Sequence, residues 1–258
     1  MTAELNQLLR RLTTVAVFFA AAVIVISAVE RKESSQVENV VVQISSISGD
    51  STLIKPSDIM QTIERSFGYE LTSLPVGDVD IARLEKVLEE DPIIADAEAF
   101  VDADNKVTIK ITQRDPVLRV IDRNGLNYYL DANGAKMPLS KHYTPRVLVA
   151  TGNIPPHTPD FLQRKRHLLK DLFELAGIIR KDEFLNALVE QIYVNNRGEL
   201  TLVPKIGDQL ILFGRMVDAE DKLKRLKVFY LEALPYEGWQ RYATINLKFK
   251  GQVVCEKR

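Results

Sequence analysis

The run from residue 12 to residue 29, LTTVAVFFAAAVIVISAV, constrains this chain more than any other segment. Eighteen residues pass without a charge, a glycine or a proline, between Arg10-Arg11 and Glu30-Arg31-Lys32-Glu33. As a helix the run extends roughly 27 Å at about 1.5 Å per residue, close to the ~30 Å apolar core of a bilayer. A core helix of a globular fold rarely sits at a chain end between charge clusters. A cleaved signal peptide wants small residues in an A-x-A-like pattern, and Ile26-Ser27-Ala28 puts a bulky side chain at one of those places. An uncleaved signal anchor meets neither objection. The expectation is a single-pass protein with a tail at 1–11, a transmembrane helix at 12–29, a polar tether at 30–36 and an exported remainder. Charge does not set the direction, because Arg10 and Arg11 are balanced by Arg31 and Lys32. A tail too short to hold a domain favours a cytoplasmic amino terminus.

The remainder is long enough for one or two compact domains. With 46% hydrophobic and 27% charged residues and a formal net charge of -1, the chain has no basic excess of the kind that marks a nucleic-acid reader. The single cysteine, Cys255, excludes an internal disulfide, so an exported fold must rest on its core. An incidental strand residue is favoured for Cys255 over an intermolecular bridge.

Residues 37–47 read as a β-branched strand, broken at Gly49-Asp50-Ser51. Lys55-Pro56-Ser57-Asp58 reads as the start of a helix over 58–67 that Gly68 stops. Residues 71–74 read as extended. A second helix over 80–90 carries Ile81, Leu84, Val87 and Leu88 as its apolar stripe and ends at Asp91-Pro92. Strands at 93–101 and 106–113 form a hairpin, the second alternating Val107, Ile109 and Ile111 with polar neighbours. The result over 37–115 is a β-α-α-β-β module of the α+β class.

The second half, 116–258, reads as a larger mixed β domain with helices. Strands are expected at 117–121, 126–130, 135–139 and 147–150, with turns at Asp122-Arg123-Asn124-Gly125 and Asp131-Ala132-Asn133-Gly134. A helix follows over 160–176 with Gly177 as its cap, then a helical turn at 183–188. Further strands fall at 189–195, 200–204 and 209–213, a helix at 219–234, and closing strands at 242–249 and 252–256.

No catalytic constellation emerges. His142, His157 and His167 lack metal-ligand spacing. No G-x-S-x-G elbow occurs, and Cys255 has no histidine nearby in sequence to activate it. Asp102-Ala103-Asp104-Asn105 lacks the glycine and glutamate of a calcium loop and reads as a hairpin turn. The basic runs Arg164-Lys165-Arg166-His167 and Lys222, Lys224, Arg225, Lys227 read as solvated helix faces. The expectation is a protein with no enzymatic activity, cofactor, metal or small-molecule substrate.

The order of parts resembles the FtsQ/DivIB family of bacterial cell-division proteins. Pro56-Ser57-Asp58-Ile59, then Asp80, Leu84 and Leu88, then Asp91-Pro92-Ile93-Ile94-Ala95-Asp96-Ala97 are similar to the family's POTRA domain. Gln113-Arg114-Asp115-Pro116 resembles its E-R-x-P boundary, with Gln113 in place of the acidic residue. Tyr129-Leu130-Asp131, Gly134 and Met137-Pro138-Leu139 resemble the start of its β domain. Residues 242–249, YATINLKF, look like its closing strand, with Asn246 and Phe249 as departures.

The resemblance implies a non-enzymatic scaffold of the divisome in the bacterial inner membrane, at the septum, with the large domain outside the cytoplasm. It implies FtsB- and FtsL-like single-pass partners, and through them an influence on septal peptidoglycan synthesis by FtsW and FtsI. Binding would proceed by strand addition, at a site comprising Tyr242, Thr244, Asn246, Lys248, Phe249, Gly251 and Val253. Simple alternation puts Tyr242, Thr244, Asn246 and Lys248 on one face and Ala243, Ile245, Leu247 and Phe249 in the core, unless Lys250-Gly251 introduces a bulge. The competing reading is a membrane-anchored POTRA accessory of an export or outer-membrane assembly system. That reading predicts tandem modules or a barrel.

Overall fold

The computed structural model describes residues 2–47 and 51–258, so the break expected at 49–50 lies outside the described residues. The backbone divides into two compact units, Met1–Gln113 and Arg114–Arg258.

The first unit opens with helix α1, Thr2–Glu33. None of its apolar stretch Thr13–Glu33 is buried against protein. A helix that is hydrophobic all round and uncovered suits a bilayer rather than water. The helix runs on through 30–33, the start of the expected tether, because nothing there breaks it. It ends where the Ser34 and Ser35 hydroxyls donate to the Arg31 carbonyl at 3.1 and 2.8 Å.

The α+β module follows as β1 (Asn39–Ile44), α2 (Pro56–Phe67), α3 (Ile81–Glu89), β2 (Ile94–Val101) and β3 (Lys106–Gln113). Its sheet order is β1-β3-β2, with β1 parallel and β2 antiparallel to β3. Pro56 suits the first turn of α2, where its missing N–H costs nothing. The Asp58 carboxylate accepts the Lys55 N–H at 3.0 Å, and Gly68 closes the helix at φ +78°. Asp80 caps α3 by accepting the Arg83 N–H at 3.0 Å. Ile59, Ile63, Leu84 and Leu88 from the helices pack with Val107, Ile109 and Ile111 from β3. Residues 71–73, expected to be extended, form a 3-10 turn that drives Leu71 into this core, with the Ser73 hydroxyl bonded to the Glu70 carbonyl at 2.6 Å.

Gln113, at the end of β3, is buried. Its Oε1 accepts the Leu53 and Ile54 N–H groups at 2.6 and 3.2 Å, while its Nε2 donates to the Ser45 carbonyl. A carboxylate in its place would accept the first two bonds but has no proton for the third. Gln113→Leu is expected to leave these backbone groups short of partners and to destabilise the first unit by roughly 3 kcal/mol. Chemical denaturation of the full chain would measure this, and a loss below about 1 kcal/mol would refute the account.

The second unit is one nine-stranded mixed sheet with helices on one face. Its strands are β4 (Pro116–Ile121), β5 (Asn127–Asp131), β6 (Lys136–Met137), β7 (Leu148–Gly152), β8 (Val189–Val194), β9 (Leu200–Pro204), β10 (Leu210–Gly214), β11 (Tyr242–Asn246) and β12 (Val254–Lys257). Across the sheet they run β12-β11-β10-β9-β8-β7-β4-β5-β6. The helices are α4 (Leu168–Lys181), α5 (Glu183–Leu188), α6 (Ala219–Val228) and α7 (Leu234–Glu237). Leu172, Leu175, Ile179, Leu226 and Tyr230 meet Val120, Ile192, Leu202, Ile211 and Ile245 in its core.

Two helices differ from expectation. α4 begins at residue 168, not 160, because His167 is extended (φ -152°) and Phe161 is anchored in the core from a turn. Gly177 lies inside α4, whose apolar stripe continues to Ile179 before Asp182 ends it. The helix expected over 219–234 contains a π-helical turn, Phe229–Ala233, just before Pro235. Proline has no N–H to continue an α ladder and its ring crowds the preceding turn, so one wider turn accommodates it.

The loop leading into α4 brings both His157 and His167 against the Phe161 ring, at centroid distances of 5.4 and 6.0 Å. His167 Nδ1 is buried with no hydrogen-bond partner. Burial, then the nearby Arg164 guanidinium, hold its pKa below the ordinary value, against the opposing pull of Asp160. An imidazole whose folded pKa is depressed gives stability that is complete above the unfolded value of about 6.5 and is lost as pH falls through the folded value. The thermal midpoint of the second unit is expected to fall between about pH 7 and pH 5. His167→Gln should flatten that decline, and an unchanged slope would refute the assignment.

Candidate functional site

β11 and β12 carry the sequence-predicted site, and the arrangement differs from a single closing strand. β11 is hydrogen-bonded on both sides, parallel to β10 and antiparallel to β12. The edge of the sheet therefore belongs to β12, and among the described residues no strand pairs with its outer side.

β11 stops at Asn246 because the Asn246 side chain accepts the Lys248 N–H at 3.0 Å, turning the chain out of the ladder. Residues 247–249, expected to continue the strand, instead enter a loop that turns at Gly251 (φ +67°). A register shift between Tyr242 and Thr244 places one extra residue on β11. That bulge puts Tyr242 on the opposite face from Thr244. Tyr242 accordingly packs against the core, 6.0 Å from the Phe229 ring, with its hydroxyl donating to Glu237 at 3.3 Å. It supports the hairpin from beneath and leaves the expected partner face.

The other predicted residues fall on three surfaces. Thr244 and Asn246 lie on the sheet face away from the helices, opposite Glu256 and Val254. Lys248 reaches back toward Glu199 at 3.8 Å, its stem against Gly214, so it already has an acidic neighbour within the domain. Phe249 is about half exposed in the loop, and Val253 packs its side chain on the core just before β12 begins. Asn246, Phe249, Gly251 and Val253 thus lie about the start of the edge strand, while Thr244 stands opposite Glu256 farther along it and Lys248 turns toward Glu199.

The direction of each peptide group on β12 follows from its last bond. The Arg258 N–H donates to the Arg241 carbonyl at 3.2 Å. Backbone groups in a strand alternate sides with a period of two residues. Glu256 and Val254 therefore face β11, while Lys257, Cys255 and Val253 turn their peptide groups outward. The Cys255 side chain points to the core, opposite Ile245. Burial pushes its thiol pKa up, so it is no activated nucleophile.

The basic run on α6, expected to be solvated, is largely engaged. Lys222 is buried, with its Nζ donating to the Arg215 carbonyl at 2.8 Å and lying 4.8 Å from the Phe213 ring centre. Lys227 pairs with Asp182 at 2.7 Å. Arg225 bonds the carbonyls of the 247–252 loop. Beside that loop runs a groove of about 460 Å³, lined by Val228, Phe229, Ala233 and Val253 and flanked by Lys224 and Glu232. Charge spacing in the sequence cannot distinguish a lysine in water from one folded under a loop. Among the described residues no cluster of histidine, cysteine or carboxylate side chains is arranged to hold a metal ion.

An apolar amino-terminal helix, a POTRA-like module and a large mixed sheet with an open edge define a POTRA protein whose first helix fits a single membrane crossing. The chain belongs to the FtsQ/DivIB family. The family described as FtsQ/DivIB, C-terminal related, matches residues 115–256, and the POTRA-like domain matches residues 36–112. No curated protein matches the chain. The family makes this a division-associated POTRA protein.

Proposed function

We propose that the chain is a non-enzymatic scaffold of the bacterial divisome. It is held in the inner membrane by α1 with its amino terminus in the cytoplasm, and acts at the septum. FtsB- and FtsL-like single-pass proteins dock on its exported β domain by adding a strand, and so bring septal peptidoglycan synthesis by FtsW and FtsI under its control. The free outer side of β12, in the domain that carries the family match, supports this reading most directly. An added strand gains backbone hydrogen bonds from the outward groups of Val253, Cys255 and Lys257, and its side chains gain contacts with Phe249, Gly251 and the face bearing Thr244, Asn246 and Lys248. The family match across the large domain favours this division role over that of an export accessory.

Affinity capture of the full chain from solubilised inner membranes tests the proposal. Recovery of small single-pass division proteins is expected, together with filamentation when the chain is depleted. Capture without them, or depletion without a division defect, would overturn it.

A further inference from the structure

We propose that Arg225 is a positioning residue that fixes where a partner strand pairs with the large sheet, a proposal that rests on the strand-addition reading above. Arg225 projects from α6 with its Nε held by Asp221 Oδ2 at 2.8 Å, one turn back. Its Nη1 donates to the Phe249 carbonyl at 3.1 Å and also to the Gln252 carbonyl, and its Nη2 to the Leu247 carbonyl at 3.4 Å. One guanidinium, only 15% exposed, thus gathers three carbonyls from the segment that joins β11 to β12. The planar fork of arginine suits this task, whereas a lysine ammonium has no such fixed geometry.

Two consequences follow for the edge. The three bonds from Arg225 hold 247–252 in its turn, so the loop does not straighten into the edge and pairing does not extend upstream of Val253. The outward groups of Val253, Cys255 and Lys257 are what remain. Besides Arg225, the connecting loop is tied at its start by the Leu247 N–H to the Leu212 carbonyl at 3.0 Å, the Asn246 cap and the Lys248–Glu199 pair, whereas 249–252 has only a turn bond from the Gln252 N–H to the Phe249 carbonyl at 3.5 Å. Released from the clasp, the loop can straighten and lengthen the edge, and register on a short edge is then weakly specified. A slip of one residue would exchange the face holding Val254 and Glu256 for the face holding Cys255. Arg225 prevents that slip from beneath the sheet, without touching the partner strand. Ordering the loop in advance also removes an entropic cost from docking.

The test uses the full chain in detergent micelles and the purified exported segment of the FtsB-type protein from the same genome. Hydrogen exchange resolved to single amides is followed with and without the segment. In the wild type, binding is expected to protect the Cys255 and Lys257 amides and to leave 247–251 unchanged. In Arg225→Gln, exchange over 247–253 should rise by about tenfold in the free chain, affinity should fall by about tenfold, and binding should spread protection to 249–251. Arg225→Lys should fall between, and Asp221→Asn should move the same amides more weakly, with the core amides of β8 and β9 as the control for folding. Wild-type affinity and protection in Arg225→Gln would overturn the role of Arg225 alone. Binding by the wild type without protection of Cys255 and Lys257 would overturn the strand-addition reading itself.

Discussion

Lys257→Pro is expected to weaken partner binding about a hundredfold while leaving the β domain folded. Residue 257 sits on the edge strand with its side chain exposed and its N–H directed outward by the alternation from Arg258. Proline is tolerated on an edge strand where the lost N–H faces solvent. It removes a donor that an added strand needs, and its ring blocks close approach at the same point. The neighbouring change gives the contrast. Glu256→Pro removes an N–H that faces β11, so it is expected to destabilise the hairpin by roughly 2–3 kcal/mol. Titration of the exported partner segment against each variant, with a thermal melt beside it, separates the two effects. Equal affinity in Lys257→Pro and wild type would show that the partner does not use this edge. Equal stability of the two proline variants would show that the peptide groups do not alternate as derived.

The features legible in the sequence are those set by local pattern. The uncharged run over 12–29 marks α1, and the stripes of Leu84 and Leu88 or of Val107, Ile109 and Ile111 mark residues that are buried as their periodicity implies, although Thr108 between them is buried too. The features that escape it depend on residues far apart in the chain. Tyr242 belongs by alternation with Thr244, but the bulge opposite Glu256 moves it to the other face, and no local residue announces a bulge there. Lys222 and Arg225 stand in a run of charges that looks wet. They are engaged by Arg215 and by a loop more than twenty residues downstream. Gln113 looks like a departure from an acidic family position, yet its amide nitrogen bonds a carbonyl supplied by Ser45, sixty-eight residues earlier. The end of β11 was legible in principle: an asparagine that can accept the N–H two residues on is a turn signal, and Asn246 does so.

Gly152→Ala is expected to destabilise the second unit by about 4 kcal/mol or more. The change combines two penalties. Gly152 ends β7 at φ +100°, a backbone conformation that strains an alanine. A Cβ there would also stand 2.2 Å from the Val194 carbonyl oxygen, in the backbone of the paired strand β8. That oxygen accepts the Asn153 N–H at 2.9 Å, so it cannot withdraw without breaking the bond that leads the chain into the loop before α4. β7 and β8 are central strands, and their separation would open the core around Ala150, Ile192 and Val194. Gly125 provides the comparison, since it too has a positive φ, +80°, but nothing lies within 4 Å of the added carbon. Gly125→Ala should therefore cost only about 1 kcal/mol, from backbone strain alone. Chemical denaturation of both variants measures the difference. Similar losses at the two sites would mean that β7 and β8 can move apart to admit the methyl group, and that the sheet behind the β12 edge is softer than its packing implies.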